Sequence, residues 1–208
     1  MVIDPASLEA REVYKLLIGS VVPRPIAWVS TISAAGLPNL APFSYFNIAS
    51  SNPPMLLFCP SRRANGAKKD TLLNVEATQE FVIHIVDEPA VEAMNRTSAD
   101  YPPGANEFEI AGLESAPSTK VRPPRVAAAP VAFECRLFQI VPLGDEQPGG
   151  EVVIGRVVLI HVRDDVRVGT YIDLTALRPV ARLAGSGYAR VTDTFDLHRP
   201  VLPKDGGT

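Results

Sequence analysis

The chain has 208 residues, of which 46% are hydrophobic and 21% charged, enough to bury the core of one large domain or two very small ones. A net charge of −3 leaves no global basic field for nucleic acid and no strongly acidic tail. Twenty prolines, about twice the usual share, argue against long helices and for short elements joined by fixed turns.

Asp4 and Pro5 open a helical pattern, "ASLEAREVYKLLIG", with Asp4 as cap and Gly19 as stop; the N-terminal helix is expected within 1–20. This segment has acids where a signal peptide needs bases, and no run approaches the length of a membrane span, so a cytoplasmic protein without membrane contact is expected. Residues 25–33 read as a strand, "AAGLP" as a turn, and 39–50 as the hairpin partner. The run 53–59 is a third strand, apolar enough for burial on both faces. Then comes "PSRRANGAKKDTLLNVEATQ" (60–79), a basic loop followed by a helix from Asp70 or Thr71. Residues 80–86 form a strand and 87–99 a short helix with Pro89 in its first turn. The Pro-, Ala- and Gly-rich segment 100–130 is a long excursion of the kind that usually serves function or a partner. Residues 131–141 alternate cleanly and pair with 151–163 across the loop 144–150. Gly155 within the second strand signals a bulge or a close backbone approach. The tail beyond is short and irregular, ending in 195–208. One domain over 1–208, mainly β with a few short helices, as a barrel or sandwich, is the simplest reading.

Several chemistries fail on residue supply. His84, His161 and His198 are not closely spaced to one another or to Cys59 and Cys135, so no metal site is expected, and the cysteines read as buried thiols. There is no G-x-S-x-G elbow and no P-loop. His84 alternates with apolar neighbours and reads as core or interface.

The basic loop remains. Ser61, Arg62, Arg63, Lys68 and Lys69 stand just ahead of a helix start at Asp70–Thr71, which together offer cationic donors, hydroxyls and free backbone N–H groups to a phosphate. Alone, such a loop is more often simply solvated. Its neighbours add weight: strands 25–33 and 39–50 carry Ser30, Thr31, Ser44 and Asn47 interleaved with Trp28, Tyr45 and Phe46. That mixture suits a flat heteroaromatic ring, polar at its edge and packed on its face, with one phosphate arm.

The blocks "PRPIAWVSTISAAGLPNLAPFSYFNIASSNPP", "KKDTLLNVEATQEFVIHIV", "VIGRVVLIHV" and "RPVARLAGSGY" resemble, in order, the flavin-reductase-like family of FMN-binding split barrels of the flavoredoxin type. The resemblance implies a six-stranded antiparallel split β-barrel that forms a homodimer, with FMN near the interface and NADH or NADPH as electron donor. It implies that the backbone and side chains around Trp28, Ser30 and Thr31, and around Ser44, Tyr45, Phe46 and Asn47, cradle the ring and ribityl chain, and that Ser61, Arg62, Lys69, Asp70 and Thr71 take the phosphate. The family usually has one arginine in this loop, whereas here Arg62 and Arg63 are adjacent. Tyr188, in the tail motif with Arg182, is placed within reach of the flavin, and His161 within reach of the nicotinamide or an acceptor. Reduction of free flavin, for a monooxygenase partner, stands beside bound-flavin reduction of a small molecule such as a nitroaromatic or quinone, and beside electron carriage without catalysis.

Overall fold

The computed structural model describes residues 1–144 and 149–200; most of the expected 144–150 loop and the end of the 195–208 tail lie outside the described residues. The first helical pattern divides in two. Asp4 caps a single 3-10 turn, Pro5–Ser7, and Leu8 then returns to extended backbone. Helix α1, Ala10–Ser20, starts afresh, with the Glu12 carboxylate accepting from Glu9 N.

Seven antiparallel strands among the described residues form the main sheet: β1 (Ala27–Ile32), β2 (Pro38–Phe43), β3 (Phe46–Ser51), β4 (Pro54–Phe58), β5 (Glu80–Ile85), β6 (Val131–Pro142) and β7 (Glu151–Val162). Their order is β2-β1-β5-β6-β7-β4-β3. The expected count of six is corrected to seven because the 39–50 strand breaks at Ser44–Tyr45. Before the break it pairs with β1, and after it with β4. The two edge strands are therefore consecutive in the chain, so the bend at Ser44–Tyr45 joins the sheet's two edges. The interior holds Val29, Phe43, Phe58, Phe81, Ile83 and Val153, drawn from five of the seven strands. Leu72 and Val75 of α2 (Asp70–Thr78) pack into the same core.

A second core covers the outer face of β1 and β2. Trp28 and Leu40 pack there against Met94 of α3 (Val91–Arg96), Phe108 of α4 (Glu107–Ile110), and Val126. The strand expected to be buried on both faces, β4, is instead half-covered, with Leu56 and Phe58 inward and Met55 and Leu57 partly open. The excursion 100–130 contains α4 and a small bridge between Ser115–Ala116 and Arg125–Val126. Gly155 meets both expectations for it. A Cβ there would lie 2.2 Å from Phe81 Cζ, and the opposite strand shifts register between Leu137 and Gln139.

Pro42 lies on edge strand β2, where a missing N–H is tolerated. Leu40 N points away from β1 and donates to the buried Glu107 Oε2 at 2.9 Å. With a period of two along the strand, the Pro42 nitrogen faces the same open side and removes no ladder bond.

Candidate functional site

The bend between β2 and β3 forms one wall of a cavity of about 500 Å³. Pro42, Phe43, Ser44 and Tyr45 line that wall. Cys59, Ser61 and Lys69 line a second, the α1 residues Arg11, Tyr14, Lys15 and Ile18 a third, and the turn Arg182–Gly185 closes the fourth. Two smaller clefts open off it. One, of about 40 Å³, shares Pro42 and Lys69 and adds Asp70, Thr71 and Tyr101. The other, of about 130 Å³, shares Pro42, Ser44 and Arg182 and adds Asn95 and Tyr188.

Five cations line the main cavity, Arg11, Lys15, Arg24, Lys69 and Arg182, and no carboxylate does. Two of them are held by backbone carbonyls. Arg24 is buried and donates to the Ile18, Val21 and Leu183 carbonyls, tying α1 and the closing turn to the bend. Arg182 donates to the Gly185 and Gly187 carbonyls and lies 4.6 Å from the Tyr188 ring centroid. These two contribute charge from fixed positions. None of the five pairs with a carboxylate among the described residues. Burial pushes the Cys59 thiol up, and burial together with Tyr14 pushes the Tyr45 phenol up, so both stay neutral at pH 7 and offer hydrogens to an anion.

Within the basic loop the cations are not equivalent. Arg62 reaches the buried Glu151 carboxylate at 2.7 Å. Arg63 bridges Asp100 at 2.5 Å and Asp70 at 3.3 Å, and Lys68 pairs with Glu76. Lys69, the N-cap of α2, has no such partner among the described residues and lines both the main cavity and the 40 Å³ cleft. Gly150 holds the loop in place: a Cβ there would fall 2.8 Å from the Pro60 carbonyl oxygen, close against the Ser61–Gly150 bridge.

The expected site residues separate accordingly. Ser44, Tyr45, Ser61 and Lys69 come together in the main cavity, Asp70 and Thr71 in the adjoining cleft, and Tyr188 in the other. Tyr188 donates its hydroxyl to Asn95 Oδ1 at 3.1 Å. The side chains of Trp28, Ser30 and Thr31 lie in packed layers instead, because β1 is covered on both faces and they are fully buried. Trp28 Nε1 donates to Thr97 Oγ1, Ser30 Oγ to the Pro124 carbonyl, and Thr31 Oγ1 accepts from Asn74 Nδ2 of α2. Thr71 likewise accepts from Asn39 Nδ2. Phe46 packs against the inner core, and Asn47 is exposed on edge strand β3, its Oδ1 accepting from Ile48 N. Arg62 is already held by Glu151.

His161 lies elsewhere. It lines none of these cavities and donates to Glu134 Oε1 at 2.6 Å beneath residues 115–126. Burial pushes the Glu134 carboxyl up, but hydrogen bonds from His161, Thr119 N and Lys120 N outweigh it and hold the carboxyl below its usual value. Sequence reasoning missed the α1 wall and Arg24. The available signal was Arg11, Tyr14 and Lys15 at helical spacing, which share one face.

Residues 18–177 match the family described as flavin reductase like domain. A curated relative from Halalkalibacterium halodurans, the uncharacterized protein BH2278, is 43% identical, and the match covers 99% of each chain. Among solved structures, nitrilotriacetate monooxygenase component B from Bacillus cereus superposes with a TM-score of 0.91 at 40% identity, covering 95% of this chain and 98% of that one. The 2-nitrobenzoate 2-nitroreductase NbaA of Pseudomonas fluorescens gives 0.86 at 33% identity, covering 99% and 100%.

Proposed function

The chain belongs to the flavin-reductase-like family, and we infer that it is an NAD(P)H-dependent flavin oxidoreductase that holds FMN in the cavity at the Ser44–Tyr45 bend. The observation that carries this reading is the cavity itself: about 500 Å³, lined by five cations and no carboxylate, in a chain of net charge −3. That volume lies within the range of small-molecule sites, and the donor set fits a ring with polar edges and a phosphate arm. Bound there, a flavin supplies the hydride-accepting and electron-passing chemistry that the side chains lack.

The residues have separable tasks. Ser61 and Lys69 hold the phosphate, with Asp70 and Thr71 in the adjoining cleft shaping its surroundings. Ser44 and Tyr45 contact the ring along the open edge of β2, where backbone groups face away from the ladder. Arg24 and Arg182 add positive charge from positions fixed by carbonyl hydrogen bonds, which favours an anionic reduced ring. None of these residues moves a proton in hydride transfer, which accounts for the absence of an acid–base cluster from the cavity.

The similarity to component B of a monooxygenase supports delivery of reduced flavin to a partner enzyme. The similarity to a nitroreductase supports a second route, direct reduction of a small acceptor at the same site. A homodimer and a cytoplasmic setting, where NADH and NADPH are supplied, complete the reading. Purified protein mixed anaerobically with FMN and NADH or NADPH is expected to bleach the flavin absorbance. No bleaching with either nicotinamide would overturn the assignment.

A further inference from the structure

The cavity carries more free cationic groups than one phosphate arm uses. Arg24 and Arg182 are fixed on backbone carbonyls, and Lys69 stands beside Ser61 at the α2 end. Arg11 and Lys15 remain. They lie one helical turn apart on α1, with Tyr14 on the same face, and no salt bridge engages either among the described residues. The two side clefts contain no α1 residue, so this wall belongs to the main cavity alone.

The wall combines aromatic surface with charge. Tyr14 and Tyr45 both line the cavity while staying 48% and 40% exposed, so their rings are open to a ligand. An arginine fork suits a carboxylate, and the neighbouring rings suit a flat aromatic body. A pyrophosphate is served less well, since it favours a cradle of free backbone N–H groups. At the start of α1 the N–H groups of Glu12 and Val13 donate to the Glu9 carbonyl, and Glu9 N donates to the Glu12 side chain.

We propose that Arg11 and Lys15 form the anion subsite of the electron acceptor, and that this acceptor is a small aromatic carboxylate whose ring packs against Tyr14 and Tyr45. The proposal rests on the flavin oxidoreductase reading and names its second substrate. For a nitroarene carboxylate the overall reaction is ArNO2 + NADH + H⁺ → ArNO + NAD⁺ + H2O. One nitro oxygen leaves as water, the nitro nitrogen is reduced by two electrons, and the nicotinamide is oxidised. The carboxylate is unchanged and serves only to orient the ring.

Two measurements decide it. Calorimetric titration at low salt is expected to show benzoate binding the purified protein about tenfold more tightly than benzamide, the scale of one charge-assisted hydrogen bond. The double variant Arg11→Gln/Lys15→Gln should remove that preference without moving the thermal midpoint, since both side chains are exposed. In turnover with NADH, the variant's ratio of kcat/KM for 4-nitrobenzoate over 4-nitrobenzamide should fall about tenfold. Equal binding of benzoate and benzamide to the wild type would overturn the proposal, as would undiminished benzoate binding by the variant. ADP-ribose binding that depends on Arg11 and Lys15, with no benzoate binding, would overturn it in favour of a nucleotide donor site. If no nicotinamide reduces flavin, the oxidoreductase reading fails, while the benzoate titration still decides the subsite.

Discussion

Beneath residues 115–126, the polar side chains of Ser30, His84, Glu134 and His161 all end on partners. Glu134 accepts from Thr119 N, Lys120 N and His161, and Ser30 donates to the Pro124 carbonyl. His84 Nδ1 donates to the Trp28 carbonyl at 2.8 Å, while its Nε2 accepts from Val126 N at 3.0 Å. In the cavity at the Ser44–Tyr45 bend, Arg11, Lys15 and Lys69 are cations with no carboxylate partner among the described residues. A closed set of hydrogen bonds marks a structural attachment, whereas charge of one sign facing open volume marks a place for a ligand. Both regions carry strings of polar residues in the sequence, and only the partners tell them apart.

The largest test of this contrast is Glu134→Ala. Its carboxylate is wholly buried and holds three donors. Removal leaves those groups unpaired and is expected to cost about 4 kcal/mol, read as a shift in the urea midpoint. A loss below about 1 kcal/mol would mean that the 115–126 segment is held by its apolar contacts alone.

His84 offers a slightly smaller effect with a pH signature. Complete burial lowers its pKa from 6.5 to about 4, opposed by the hydrogen bond to Trp28. Above pH 6.5 the ring is neutral in both the folded and unfolded chain. Between pH 6.5 and 4 the unfolded chain takes up a proton that the folded one refuses, so stability falls as pH falls, by about 3 kcal/mol across the window. Protonation would also remove the lone pair that accepts from Val126 N. His84→Gln, which can still donate to Trp28 and accept from Val126, should flatten this part of the stability profile. An unchanged slope in the variant would assign the pH dependence to other groups. Glu107 and Asp87, whose carboxyls burial pushes up, act with the opposite sign and are common to both proteins.

Much of the sheet could be read beforehand, because residues 131–141 alternate, the apolar run 151–163 is their hairpin partner, and Gly155 marks the point where the Phe81 ring needs room. The split between β2 and β3 could not. The strand-like run continues through Ser44 and Tyr45, and the break exists because the chain changes partners there from β1 to β4. The site was half legible for a similar reason. Short polar residues on β1 looked like ligand contacts, yet α2 and the excursion cover that strand, and Asn74 and Pro124 are their partners. The α1 wall depends on where a helix docks, which no local pattern specifies. Arg62 and Lys69 look alike in the loop until Glu151, far along the chain, engages one of them.

That last difference gives the smallest expected change in stability and the cleanest separation of the two regions. Lys69 caps α2 without a side-chain hydrogen bond to the helix and makes no ion pair among the described residues, so Lys69→Gln should leave the urea midpoint within about 0.5 kcal/mol of wild type. Its effect belongs to binding: loss of one charge-assisted contact to a phosphate should weaken FMN about tenfold, measured by quenching of flavin fluorescence on titration. Riboflavin, which lacks the phosphate, should bind the two proteins alike. If FMN affinity is unchanged, Lys69 is not the phosphate ligand. If riboflavin weakens in parallel, Lys69 acts on the ring or on the shape of the cavity. Arg62→Ala should show the reverse profile, since it leaves the buried Glu151 carboxylate without its cation. It thereby falls with Glu134 and His84 among the residues that hold the fold, although it stands seven positions from Lys69 in the same basic loop.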